Sequence, residues 1–178
     1  INTILVSSAL YLFFITLRDF FIRKYSNISQ NIAHFGFSLL ILSILLNNLF
    51  SSEIITNLKV GETFTSSKTK ILFKSINQKQ EKNYKSIIAN FSIENINEKI
   101  EDLSPELRIY NQPNIVTSEA DIKTTLLLDK FIVINIVQNQ DYFNVRYQVK
   151  PFMLWIWISV ILISFGGLLS FFKKEHEK

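Results

Sequence analysis

A chain of 178 residues in which 48% are hydrophobic, 13% aromatic and only 19% charged is too apolar for an ordinary soluble domain. Its formal charge of +4 is not concentrated, because residues 51 to 150 hold thirteen Lys and Arg against twelve Asp and Glu, and this speaks against a nucleic-acid partner, which needs clustered positive charge. With no cysteine, these residues carry neither disulfides nor thiol chemistry.

Residues 1 to 17 hold no formal charge and predict a transmembrane helix, short against the roughly 20 residues that cross a bilayer. The run begins without methionine. A signal peptide carries a basic region before its apolar core and small residues at a cleavage site after it, and neither is present, so the expectation is the tail of a longer polypeptide. Residues 18 to 31 then read as a cytoplasmic loop, with Arg18, Arg23 and Lys24 against Asp19.

Residues 32 to 50 predict a full-length span carrying His34 at the head of the apolar run from Phe35 to Leu42. An imidazole in hydrocarbon has to find a hydrogen-bond partner, an ion or a cofactor. Spacing alone leaves two readings open, a hydrogen-bonded structural histidine and a haem or metal ligand. Ser38 lies one turn on, with Ile41 and Leu45 along the same expected face.

Residues 51 to 150 read as an extracytoplasmic all-β domain. Strands are expected at 54 to 60, 70 to 76, 86 to 93, 107 to 110, 125 to 137 and 142 to 149, which are rich in Ile, Val, Phe, Tyr and Thr between polar turns. Val60-Gly61-Glu62 reads as a tight turn, because glycine tolerates positive φ. There is no histidine between Asn48 and Phe172, no glycine-rich phosphate loop, no zinc spacing and no serine nucleophile elbow. Glu101, Asp102 and Glu106 are expected to be solvated rather than an acid/base pair, so the domain reads as a binding or positioning module.

Residues 151 to 172 predict the third span, followed by a basic cytoplasmic tail at 173 to 178. Positive residues in the loop and the tail put both on the cytoplasmic side and the β domain across the membrane. Trp155 and Trp157 read as interfacial anchors, with cofactor contact as the other option. Ser159, Gly166 and Ser170 fall on one helical face and would let another helix approach closely. The fold class is therefore α-helical integral membrane segments, three spans, with an inserted all-β extracytoplasmic domain.

The run Asn31-Ile32-Ala33-His34-Phe35-Gly36-Phe37 resembles the segment around a transmembrane histidine in the CcmF family, the membrane subunit of the system I cytochrome c haem lyase. Further similarities follow in order: Val60-Gly61-Glu62, the segment from Ser104 to Tyr110, that from Thr117 to Ile122, Val145-Arg146, that from Lys150 to Trp157, and Gly166 to Leu169. The resemblance covers nearly the whole chain. It implies cytochrome c maturation, in which haem from a periplasmic haem chaperone is attached to the CXXCH cysteines of apocytochrome c, alongside other maturation membrane subunits in the lipid bilayer. It also implies that His34 is an axial ligand to the iron of a b-type haem whose second ligand lies outside this chain. The family's WWD segment and its flanking periplasmic histidines have no counterpart here, so no catalytic residue is expected in the chain. The implied location is the bacterial inner membrane with a periplasmic domain, or alternatively the mitochondrial inner membrane. Arg108, Glu119, Asp121 and Arg146 sit in family-like motifs, but ion pairs within the domain explain them equally well. The alternative from a different class is a non-catalytic membrane anchor displaying an exported β binding domain.

Overall fold

A computed structural model describes residues 2–22, 28–96, 99–137 and 141–176. Arg23, Lys24 and Lys178, which contribute to the orientation argument, lie outside the described residues. The chain divides into a helical unit and a β unit.

The helical unit holds α1 (Asn2–Ile22), α2 (Ile28–Phe50) and α3 (Met153–His176). Stretches of 20, 23 and 20 residues in them, Thr3–Ile22, Ile28–Phe50 and Met153–Phe172, are long and apolar enough to cross a bilayer. Helix α1 does not stop where its charge-free run stops at residue 17. It continues through Arg18 and Asp19, because Phe20-Phe21-Ile22 extend the apolar pattern beyond that polar pair. Helix α2 likewise starts at Ile28, four residues before the expected 32, since Ser29, Gln30 and Asn31 are polar but uncharged.

Helix α2 packs between the other two and runs antiparallel to both. Against α1, the Phe35 ring lies 5.6 Å from that of Phe13 and 5.8 Å from that of Phe20. Against α3, two glycines set the spacing. A Cβ on Gly166 would stand 2.7 Å from both Ala33 N and Ser29 O, and one on Gly36 would stand 3.0 Å from Ile163 N. Small residues thus let the two backbones touch, which is how membrane helices gain dispersion energy without a hydrophobic drive between them. At the opposite end of the pair, Asn47 Nδ2 donates to Pro151 O at 2.6 Å. Between strand and helix, Phe152 takes a left-handed φ of 60° and turns the chain into α3.

The β unit is built from ten strands: β1 (Ser52–Leu58), β2 (Thr63–Thr65), β3 (Thr69–Gln80), β4 (Tyr84–Asn95), β5 (Glu101–Leu103), β6 (Glu106–Tyr110), β7 (Val116–Glu119), β8 (Asp121–Thr124), β9 (Leu128–Ile136) and β10 (Phe143–Pro151). One sheet has the order β1-β10-β9-β8; the other runs β2-β3-β4-β6-β7, with β5 also pairing with β4. Inward residues of the first sheet (Leu58, Ile132, Ile134, Val145, Tyr147) meet those of the second (Ile71, Phe73, Ala89, Phe91, Ile93, Leu103, Leu107) in one buried cluster. The alternation expected along β9 and β10 supplies its half of that core, and the architecture is a β-sandwich. Phe73 and Phe91 stack at 4.4 Å with the Phe143 ring edge-on at 5.6 Å to Phe73, a geometry worth roughly 0.5–1.5 kcal/mol per pair beyond the area it buries.

Each of the six expected strands has a counterpart, with shifted ends, but residues 125 to 127 form a turn and not the start of β9. Four short strands, β2, β5, β7 and β8, were not expected. The turn at Gly61 has φ 87°, its N–H donates to Phe73 O at 2.7 Å, and the Glu62 carboxylate caps it by accepting from Lys59 N at 2.8 Å.

Candidate functional site

His34 is the seventh residue of α2, about 9 Å along the helix at 1.5 Å per residue. Its side chain is exposed. Gln30, Phe37, Ile44 and Asn48 are also exposed and Ile41 is half-buried, so these residues repeat every three or four positions and form one stripe left uncovered by α1 and α3. Among the described residues nothing hydrogen-bonds to the imidazole, and no group of three or more His, Cys, Asp or Glu side chains is placed to hold a metal. Within the described residues His34 is therefore an imidazole without a hydrogen-bond partner on a strip whose middle, Phe37, Ile41 and Ile44, is apolar and whose ends, Gln30 and Asn48, are polar.

Ser38 does not share that strip, contrary to expectation. It is fully buried toward α1, with its Oγ 2.6 Å from Thr16 Oγ1. One hydroxyl donates to the other, and the remaining proton goes to a carbonyl of its own helix, Leu12 O or Phe35 O. Thr16 was missed by the sequence reading, although a polar residue within an apolar span is itself a signal that a partner helix supplies a hydrogen bond.

On α3, Ser159 is fully buried and its Oγ donates to Trp155 O at 2.6 Å. Gly166 makes the closest approach to α2. Ser170 is exposed, so the small-residue face ends one turn earlier than expected. Because Gly166 meets α2 at Ala33, next to His34, the α2–α3 contact fixes the rotation of α2 that turns the imidazole outward. The two tryptophans separate: Trp157 is exposed, whereas the half-buried Trp155 donates its indole N–H to Leu126 O at 2.9 Å.

In the β domain the candidate carboxylates are each committed to a cation. Glu101 is not solvated as expected: it accepts from the buried Lys130 at 3.0 Å and from Lys123 at 3.2 Å. Asp102 pairs with Lys74 at 2.7 Å, which holds its carboxyl below the usual range. Arg108 grips Glu106 with two hydrogen bonds of 3.1 and 3.2 Å, lies 3.9 Å from Glu119, and packs over the Tyr84 ring. That grip lowers the Glu106 carboxyl pKa, and the same hydrogen bonds raise that of the guanidinium. Asp121 accepts from Ser104 N at 2.6 Å, and Arg146 and Gln148 of β10 both donate to Glu53 of β1. The four motif residues with no assigned role thus tie strands together. None of these groups lies in the same unit as His34.

A family model described as the CcmF C-terminal beta-sandwich matches residues 49–151. The cytochrome c-type biogenesis protein NrfE of Haemophilus influenzae is 24% identical over 178 residues, 98% of this chain and 28% of that protein. CcmF of Pseudomonas aeruginosa is 25% identical over 147 residues, 83% of this chain and 22% of that protein. The cytochrome c-type biogenesis protein ccl1 of Rhodobacter capsulatus is 31% identical over 118 residues, 66% and 18% of the two. A solved structure described as the cytochrome c heme lyase CcmF shares the fold, with a TM-score of 0.70 at 17% identity over 92% of this chain and 30% of that one. The chain spans between 18% and 28% of the length of these curated relatives. With the family model matched over more than half its length, by the strands that form its two-sheet core, this chain belongs to the CcmF family, of which it carries the C-terminal β-sandwich.

Proposed function

We propose that this chain is the C-terminal part of a haem lyase subunit that attaches haem to apocytochrome c. In this reading His34 supplies one axial ligand to a b-type haem in the membrane, and the β domain, on the periplasmic side of the bacterial inner membrane, positions the haem chaperone and apocytochrome partners. The observation that supports the reading is the outward-facing imidazole of His34, without a hydrogen-bond partner among the described residues and followed on the same stripe by Phe37, Ile41 and Ile44.

The residues present fit such a group. A neutral imidazole offers a ring nitrogen to iron, and Phe37, 55% exposed one turn on, continues with Ile41 and Ile44 as an apolar surface suited to a porphyrin face. A b-type haem bound there supplies a one-electron carrier. The work of this chain is to orient: the contact of Gly166 with Ala33 locks α2 in rotation, and the Thr16–Ser38 pair holds the opposite side of the helix on α1. The second axial ligand and the attachment site belong to the part of the subunit outside these residues.

The test is His34→Gly in the full-length subunit within its complex, with reduced-minus-oxidised spectra recorded with and without added imidazole. The expected result is loss of the b-type haem signal, partial return with imidazole, and a large fall in cytochrome c production. An unchanged haem signal with normal cytochrome c output overturns the ligand assignment. A colourless full-length protein whose deletion leaves cytochromes c untouched would instead favour the anchor reading.

A further inference from the structure

The turn between β8 and β9 departs from the chemistry of its kind. Its tip is Leu126-Leu127, where tight hairpin tips favour Asn, Asp or Gly. Other tips of the domain are polar, Ser66-Ser67-Lys68 between β2 and β3 and Glu81-Lys82-Asn83 between β3 and β4. Both leucines are nevertheless exposed, by 64% and 53%. Nor is the turn loosely held. Thr125 N donates to Leu128 O at 2.9 Å, and Leu128 N donates back to Thr125 Oγ1 at 3.0 Å.

The tip is also fastened at a defined level. Phe152 N, in the residue before α3, donates to Leu127 O at 2.8 Å, and the indole of Trp155, in the first turn of α3, donates to Leu126 O at 2.9 Å. Those two contacts put both leucines beside the beginning of the apolar stretch Met153–Phe172. Exposed apolar side chains there stand at the level where the first exposed apolar residues of α3 begin, Trp157 and Ile161 being exposed by 63% and 67%. Such a patch is costly in water and favourable in hydrocarbon.

We propose that Leu126-Leu127 is a membrane-inserted wedge, whose two side chains enter the lipid leaflet on the β-domain side and take the acyl chains as their partner. The wedge explains why a hairpin tip is apolar, why its backbone is bonded to the start of a span, and why Trp155 spends its indole N–H on a carbonyl and not on water.

The experiment places a nitroxide spin label at Leu126→Cys, and separately at Leu127→Cys, in a cysteine-free background of the full-length protein in lipid nanodiscs. Collision rates are then measured with oxygen, which concentrates in hydrocarbon, and with a water-soluble nickel chelate. The expected result is a collision rate with oxygen several times that with nickel at both sites. Equal or greater access by nickel means that the tip lies in water and overturns the proposal. Low access by both means that another protein segment covers the tip, and overturns it equally.

Discussion

Lys130 and Glu101 show what a single residue can hold in this domain. The Lys130 side chain is only 6% exposed, and its ammonium sits 3.0 Å from a Glu101 carboxylate that is itself 16% exposed. Removing either member of such a pair is strongly destabilising, because it leaves the other charge buried without its counterion. Glu101→Gln should therefore destabilise the protein by roughly 3 kcal/mol. Lys130→Met should cost less, since Glu101 keeps Lys123 at 3.2 Å. Thermal and denaturant unfolding of the detergent-solubilised protein checks the order of the two. A second pair reports on pH. Because Arg108 holds the Glu106 carboxyl below its ordinary value of 4.5, its contribution is complete above that value and is lost as pH falls through the lower folded-state value. Glu106→Gln should then be less stable than the parent at pH 7, with the gap closing below about pH 4.5, as unfolding midpoints measured over a pH series would reveal. The sequence offered an ion pair at Arg108 without naming Glu106 as its partner, and it did not show the Glu101–Lys130 pair. Glu101 and Lys130 belong to different sheets, and a carboxylate beside a proline turn reads as solvated until the topology brings a lysine to it.

Among the elements, the helices were the most legible, because long runs without charge have few other uses in a chain this apolar. Their ends were less so. Arg18 and Asp19 mark the edge of the apolar run but not of the helix, whose backbone hydrogen bonds do not depend on side-chain polarity. In the domain, the six strands of five residues or more were found, while β2, β5, β7 and β8 were not. They are three or four residues long, mostly polar, and three of them end a sheet order, so no alternation exposes them. The two adjacent glycines of α3 make a sharp test of the α2–α3 packing. Gly166→Leu drives a side chain into Ala33 and Ser29, whereas a Cβ on Gly167 meets nothing within 4 Å, so Gly167→Leu starts into open space. The first should cost about 1–3 kcal/mol or more, as overpacking does, and should disturb whatever His34 holds by shifting Ala33. The second should be close to neutral. Heat stability of each variant in detergent, measured beside the spectrum of the haem proposed at His34, separates packing from any effect of glycine loss itself.

At the scale of the whole molecule, the order of the elements restricts the orientation to two choices. Helices α1 and α2 are antiparallel, as are α2 and α3, so if all three apolar stretches cross a bilayer, chain connectivity alone puts the segment between α2 and α3 on one side and the α1–α2 connection with the end of α3 on the other. The short basic segments give the expected choice, since Arg18, Arg23 and Lys24 before α2, and Lys173 and Lys174 after the third apolar stretch, are residues that the positive-inside rule keeps cytoplasmic. The domain itself gives no contrary signal, with thirteen basic against twelve acidic residues. The preference is therefore set by the loops alone, and the proposed function requires it to put the β domain on the periplasmic side. Cysteine labelling tests this directly. Lys82→Cys, at the polar β3–β4 tip, should react with a membrane-impermeant maleimide in intact spheroplasts, while Lys174→Cys should react only after the membrane is permeabilised. The reverse pattern would put the domain in the cytoplasm and remove the basis for any direct contact between it and an exported apocytochrome. Reversing the charge of the short segments, with Arg18, Arg23 and Lys24 all changed to Glu, should weaken the preference and give a mixed labelling pattern, because the apolar spans themselves do not distinguish one side from the other.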